Sequence, residues 1–237
     1  MRITLAKVYN ICTSWSHFLL SNPKAVRFVI PWVASLKSNR NPLKDEEPWV
    51  TFEAKEWLIS FLTKNMIVFE YGQGGSTIFF SKRVKKLISV EHDRLWYQLV
   101  KKVINKNNIR NCELIYVEPE RYLATLNNNF MDPRNYASGD ARYKNMHFET
   151  YVKTIELFPD ESFDLVFIDG RARPSCILHS RSKVRPGGFI MLDNSERERY
   201  QMSKDLLIDW EQRDYYGPGP YSVVFWQTSI FRKPQQD

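Results

Sequence analysis

A chain of 237 residues with 43% hydrophobic content can bury one substantial core, and its motifs are spread so that two separate domains would divide the sheet they build. The formal charge of +7 is concentrated at one end: residues 1–44 hold Arg2, Lys7, Lys24, Arg27, Lys37, Arg40 and Lys44 and no acid, leaving 27 basic against 27 acidic residues beyond them. No apolar run reaches the roughly 18 residues that cross a bilayer, no secretory segment with a cleavage site is visible, and Cys12, Cys112 and Cys176 lack the close pairing of a zinc site, so a cytoplasmic, reducing location is expected.

Residues 1–44 read as a basic, apolar, helical extension, with Trp15, Phe18, Leu19 and Leu20 in one block and Phe28, Val29, Ile30, Trp32 and Val33 in another. Three roles fit this composition: helices capping the body, contact with a second copy of the chain, or a surface resting on anionic lipid or another polyanion. No nucleic-acid-binding module is visible. Asn41-Pro42 and Glu47-Pro48 mark a linker, and Thr51 is placed to cap a helix running to about Leu62 whose Phe52, Trp57, Leu58 and Phe61 face a core.

Residues 66–77 join a strand pattern, Met66 to Glu70, to a glycine turn and a helix starting near Ser76. Gly72, Gly74 and Gly75 allow a sharp turn and close approach of a ligand, while Ser76 and Thr77 can satisfy free amides at the helix start. A dinucleotide fingerprint would need a third glycine where Thr77 stands, which weakens the dehydrogenase reading. A second strand at 86–90 ends on Glu91, where an acid can accept hydrogen bonds from both hydroxyls of a ribose.

A helix follows over about Leu95 to Asn105, then a strand from Cys112 to Val117. The polar and aromatic stretch 118–146 is long for a connection of this kind, and reads either as a lid or acceptor-pocket insertion or as a solvated loop. A helix over His147 to Leu157 precedes a strand that ends Ile168-Asp169-Gly170, and a further strand ends Leu192-Asp193-Asn194. A helix around Ser203 to Trp210, a turn over Tyr215 to Pro220 and a β-rich run from Ser222 to Arg232 complete the chain.

From about Trp49 to Lys233 the sequence resembles the class I S-adenosylmethionine-dependent methyltransferases. The resemblance rests on the Glu70-Tyr71-Gly72-Gln73-Gly74-Gly75 turn, Glu91 and the two acidic strand ends. It implies a Rossmann-like, doubly wound α/β fold with a mostly parallel sheet and a C-terminal antiparallel strand. It also implies a cofactor site built from Glu70, Gly72, Gln73, Gly74, Ser76, Glu91 and Asp169, with Glu70 near the amino-acid part of the cofactor.

Asp169, Asp193 and Asn194 are more specifically similar to the metal-holding trio of the catechol-type and sugar O-methyltransferases, implying Mg2+ or Mn2+. Those enzymes place a lysine or histidine where this chain has Ala172. Without a metal, Asp169 is the candidate base, and Arg171 and Arg173 can hold an anionic or hydroxyl-rich acceptor through forked hydrogen bonds. His179 reads as structural. A small molecule or carbohydrate is the expected acceptor. Two alternatives stand beside it: a nucleic-acid or protein methyltransferase docked by the basic extension, and a cofactor-binding scaffold without turnover. The amide-methylating Asn/Asp-Pro-Pro-Tyr pattern is absent, the fourth strand running on as Ile168-Asp169-Gly170-Arg171.

Overall fold

The computed structural model describes residues 5–121 and 129–235; Arg2 and the part of the insertion at 122–128 lie outside the described residues. The chain opens with helix α1 (Leu5–Ser21), a 3-10 turn, α2 (Val29–Ser35) and the short α3 (Pro42–Asp45), before α4 (Phe52–Phe61) leads into the first strand. There follow β1 (Ile67–Tyr71), α5 (Gly75–Ser81), β2 (Lys86–Glu91), α6 (Arg94–Lys106) and β3 (Cys112–Tyr116). The insertion carries a two-residue pairing of β4 (Glu120–Arg121) with β5 (Met146–His147). The second half comprises α7 (Glu149–Lys153), β6 (Phe163–Ile168), α8 (Arg173–Ser180), β7 (Val184–Asp193), α9 (Gln201–Lys204), β8 (Glu211–Gly217) and β9 (Trp226–Arg232).

Seven strands form one sheet in the order β3-β2-β1-β6-β7-β9-β8, with β9 antiparallel to both its neighbours and the other pairings parallel. Strand order reverses between β1 and β6, and in such sheets the crevice outside the carboxyl ends at that reversal receives the ligand. The inner strands are apolar on both faces because helices cover both. Phe69, Ile88, Val166 and Ile190 meet Tyr151, Cys176 and Ile177 on one side, while Val68, Leu87, Leu165 and Met191 meet Leu58, Phe79 and Phe80 on the other.

Several local expectations were overridden. The region 203–210 holds only the short α9 and a 3-10 turn, and the chain then forms β8, whose sequence Glu211-Gln212-Arg213-Asp214 carries no apolar alternation. That polarity suits a sheet edge, where one side faces water and charge discourages pairing with another chain. Thr51 occupies the N-cap position of α4 as expected, but its hydroxyl makes no capping bond and donates instead to Tyr215 O at 3.2 Å, tying the helix start to β8. The helix expected over 147–157 is α7 followed by a 3-10 turn at Thr154–Leu157.

The apolar blocks near the N-terminus pack as Trp15, Phe28 and Trp32 against Phe52 of α4 and Phe225 before β9, with Trp32 Nε1 donating to Ser222 O at 2.8 Å. No described helix is long and apolar enough to cross a membrane.

Candidate functional site

At the carboxyl ends of the strands lies a cavity of about 650 Å3. Its floor is the crossing of β1 and β6: Gly72 has φ +94°, and a Cβ there would stand 2.8 Å from Gly170 Cα, so only a glycine lets the two strand ends approach. One wall is Gln73, Glu91, His92, Asp93 and Trp96, and the other is Asp169, Arg171, Arg173, Asp193 and Asn194. Arg142 and Tyr143 of the insertion, Trp49 from the linker, Glu196 and Arg197 after β7, and the segment from Ser222 to Trp226 contribute further lining.

Glu91 is 3% exposed and its carboxylate organises the first of these walls. Oε2 accepts from the amide of Gln73 at 2.9 Å, and Oε1 accepts from the amides of His92 and Asp93 at 2.7 and 2.8 Å. The glycine turn is held from two further sides, since Gln73 Nε2 donates to Ser89 O at 2.8 Å and Trp96 Nε1 donates to Gln73 O at 2.5 Å. A carboxylate offers about four lone-pair positions, so Glu91 retains capacity for a ligand hydroxyl after satisfying three amides.

Glu70 does not line the cavity. Its register partner in β2 is Ser89, so the side chain turns under the glycine loop, where Oε2 accepts from the hydroxyls of Ser89 at 2.5 Å and Thr77 at 2.7 Å. Thr77 Oγ1 in turn accepts from Gly74 N at 2.9 Å. The carboxylate therefore braces the loop from below instead of facing a ligand. Gly74 and Ser76 are likewise outside the cavity wall, and the backbone of Pro42 and Glu47 packs over Gly75 at the start of α5.

Burial pushes the Glu70 carboxyl up to about 7, opposed by hydrogen bonds from Ser76, Ser89 and Thr77, with the charge of Asp169 a smaller upward contribution. The folded value lies above the unfolded 4.5, so the stabilising contribution is complete below 4.5 and is lost as pH rises through 7. Over that interval about 3 kcal/mol of stability is expected to disappear. Urea denaturation from pH 5 to 8 checks this. Glu70→Gln should flatten the slope, and an unchanged slope would remove Glu70 as its source.

The three expected metal ligands come together, but around a cation that the protein itself supplies. Arg173 is 7% exposed and its guanidinium lies between the two strand ends. Nη2 donates to Asp169 Oδ1 at 2.7 Å and Asp169 O at 2.9 Å, Nε donates to Gly170 O at 3.1 Å, and Nη1 donates to the Asp193 carbonyl and to Asn194 Oδ1 at 3.3 Å. The Asp193 carboxylate is turned away, with Oδ1 accepting from Trp226 Nε1 and Thr228 Oγ1, both at 2.8 Å. Burial, then the neighbouring Asp169 charge, pushes it up to about 7. A divalent ion would have to share these oxygens with a buried guanidinium, so the arrangement does not fit Mg2+ or Mn2+. Among the described residues no His, Cys, Asp or Glu group is arranged to hold a metal.

Asp169 keeps its side chain 28% exposed on the cavity wall. Burial raises its pKa, while Arg173, Arg171 and Arg197 pull it down. Ala172, at the position where the similar enzymes carry a base, has φ +47° and packs into the core, so no side chain there reaches the cavity. Arg171 lines the cavity and pairs with Asp140 of the insertion at 3.0 Å. His179 is structural as expected, its ring bridging Tyr136 Oη at 3.1 Å and Glu156 Oε1 at 2.6 Å. The aromatic walls at Trp49, Trp96 and Trp226 escaped sequence reasoning; only Trp96 carried a local signal, five residues past Glu91 in the first turn of α6.

No protein-family model matches the chain, and no curated protein matches its sequence. Among solved structures it is similar to a candidate O-methyltransferase from Klebsiella pneumoniae, with a TM-score of 0.52, 15% identity and coverage of 92% of this chain and 95% of that one. A methyltransferase-like protein from Silicibacter pomeroyi matches with a TM-score of 0.49 and 21% identity over 76% of this chain and 84% of that one. A candidate methyltransferase from Streptococcus mutans in complex with SAH matches with a TM-score of 0.49 and 13% identity over 75% and 94% of the two chains. With its strand order, the glycine turn at the reversal and the antiparallel β9, the chain has the Rossmann-like fold of the class I methyltransferases.

Proposed function

We infer that the protein is an S-adenosylmethionine-dependent methyltransferase acting on a hydroxyl of a small molecule or carbohydrate. The observation that carries this reading is the meeting of Gly72, Gln73, Glu91 and Asp169 in one cavity at the strand-order reversal. The cavity is within the size range of small-molecule sites, and its donor set suits a nucleoside: a buried carboxylate with spare acceptor capacity, exposed backbone beside it and the Trp96 ring.

Glu91 would hold the ribose and the turn at Gly72 and Gln73 the amino-acid end, with Asp169 beside the reacting centre. When bound, S-adenosylmethionine supplies a sulfonium methyl group for in-line transfer to the acceptor oxygen. The chain's own task is to orient the acceptor hydroxyl and take its proton, which falls to the Asp169 carboxylate. Arg173 fixes that carboxylate through Oδ1 and keeps it from swinging away from the wall.

In this reading residues 45–237 are the catalytic body, 118–146 shapes the acceptor side, and 1–44 is an extension. Exposed Leu20 and Ile30 near Lys24 and Arg27 support contact of that extension with an anionic membrane surface or a second copy of the chain, in a cytoplasmic setting.

Titration calorimetry with S-adenosylhomocysteine is expected to show saturable binding, and its absence would reject the reading. Transfer of labelled methyl from S-adenosylmethionine into alkali-stable ethers of a hydroxyl library is the expected activity. Label recovered only in protein or nucleic acid would replace the acceptor class.

A further inference from the structure

Beside the main cavity lies a second one of about 320 Å3, and its walls are cationic to a degree that the first is not. Arg142, Arg171, Arg173, Arg197 and Arg199 line it against the single acid Asp140. These arginines come from three separate segments: the insertion, the turn after β6 and the loop after β7. Such convergence is costly, because like charges in a partly buried site repel unless something offsets them.

The protein offsets part of this charge internally. Asp140 accepts from Arg142 and pairs with Arg171, Asp169 pairs with Arg173, and Glu196 stands 4.0 Å from Arg197. Arg199 has no ion pair among the described residues and instead lies over the Tyr200 ring at 5.3 Å from its centroid. Its Nη1 would be 2.9 Å from any Cβ at position 139, so Gly139 leaves the room in which this guanidinium sits. The Nε atoms of Arg171 and Arg199 are buried and find no protein acceptor among the described residues. Burial alone would raise the Tyr200 phenol, yet Arg173, Arg199 and Arg197 outweigh it and leave the group below its ordinary value. A strong positive potential therefore survives inside the cavity.

We propose that this second cavity binds a phosphate-type dianion carried by the acceptor, so that the hydroxyl to be methylated belongs to a phosphorylated small molecule. Arginine forks match the paired oxygens of a phosphoryl group, and a dianion offsets more of the excess charge than a carboxylate does. Arg142, Gly170, Arg171, Arg173 and Arg197 line both cavities, so an acceptor anchored in the second extends into the first beside Asp169. Its volume of about 320 Å3 matches a single group better than a polynucleotide, whose backbone needs a long cationic track. The acceptor assignment rests on the methyltransferase reading; the anion site does not.

The test is calorimetry with inorganic phosphate at constant ionic strength, on the full chain and on Arg199→Gln and Arg199→Lys, with S-adenosylhomocysteine titrated separately. Arg199 lines only the second cavity. Saturable phosphate binding is expected, weakened tenfold or more by Arg199→Gln and partly restored by Arg199→Lys, with nucleoside affinity unchanged within twofold. Weaker binding of acetate than of phosphate supports the dianion, and tighter binding of acetate overturns it in favour of a carboxylate. Absent phosphate binding, or binding indifferent to Arg199→Gln, overturns the site. Tight binding of an RNA oligonucleotide without phosphate binding replaces it with a nucleic-acid surface. Phosphate binding without S-adenosylhomocysteine binding leaves the anion site standing and removes the methyltransferase reading instead.

Discussion

Replacing Glu91 with alanine is expected to weaken S-adenosylhomocysteine binding by about a hundredfold, about 3 kcal/mol, because two losses coincide. The ligand loses a charged acceptor, and the amides of Gln73, His92 and Asp93 lose the carboxylate that aims them. Buried donors left without partners cost about 1–3 kcal/mol each, so the thermal midpoint should fall as well. Glu91→Gln keeps the shape and one carbonyl oxygen, and should lose less of both. Calorimetry and thermal denaturation on the two variants separate the effects. Unchanged affinity in Glu91→Ala would remove this residue from the cofactor site and shift attention to Asp93 and Trp96 on the same wall.

Arg173→Met is expected to cost about 3–5 kcal/mol of stability at pH 8, the penalty for stripping the partner from buried charge. Asp169 then loses its ion-pair partner, and the Asp193 carboxyl loses a neighbouring positive charge. Both carboxyls already titrate above their unfolded value, Asp193 at about 7, and loss of the guanidinium raises them further. A group whose folded pKa is raised contributes stability that is full below its unfolded pKa, near 4, and is lost as pH climbs through the folded value. The variant should therefore be much closer to the parent at pH 5 than at pH 8. Urea denaturation at the two pH values reads the difference. An equal loss at both would mean that Arg173 acts through packing and its carbonyl contacts, not through the two carboxylates.

A protein cation between Asp169 and Asn194 also changes what acid-base chemistry is available. In the proposed reading, the guanidinium fixed there leaves proton removal from the acceptor to Asp169, while the second acid, Asp193, accepts hydrogen bonds from Trp226 and Thr228. The strand ends thus look alike in sequence while doing different work.

Local pattern alone carried most of the sheet. Apolar runs flanked by glycine and acid mark β1, β2, β6 and β7, because a strand covered on both faces must be apolar along its length. Glu91 was legible for the same reason: it ends an apolar strand at a fixed distance past the glycine turn, and chain geometry places it beside that turn. The edge strand β8 was not legible, since a half-solvated edge imposes no hydrophobic period and its pairing with β9 is decided by the sheet. Glu70 reads as a ligand contact from its neighbours in sequence, yet register with Ser89 turns it beneath the loop. The three expected metal ligands meet Arg173 instead of an ion. Arg173, following Ala172 in the left-handed region, lies between two strand ends twenty-four residues apart in sequence, a meeting that no local pattern encodes because it exists only once β6 and β7 lie side by side.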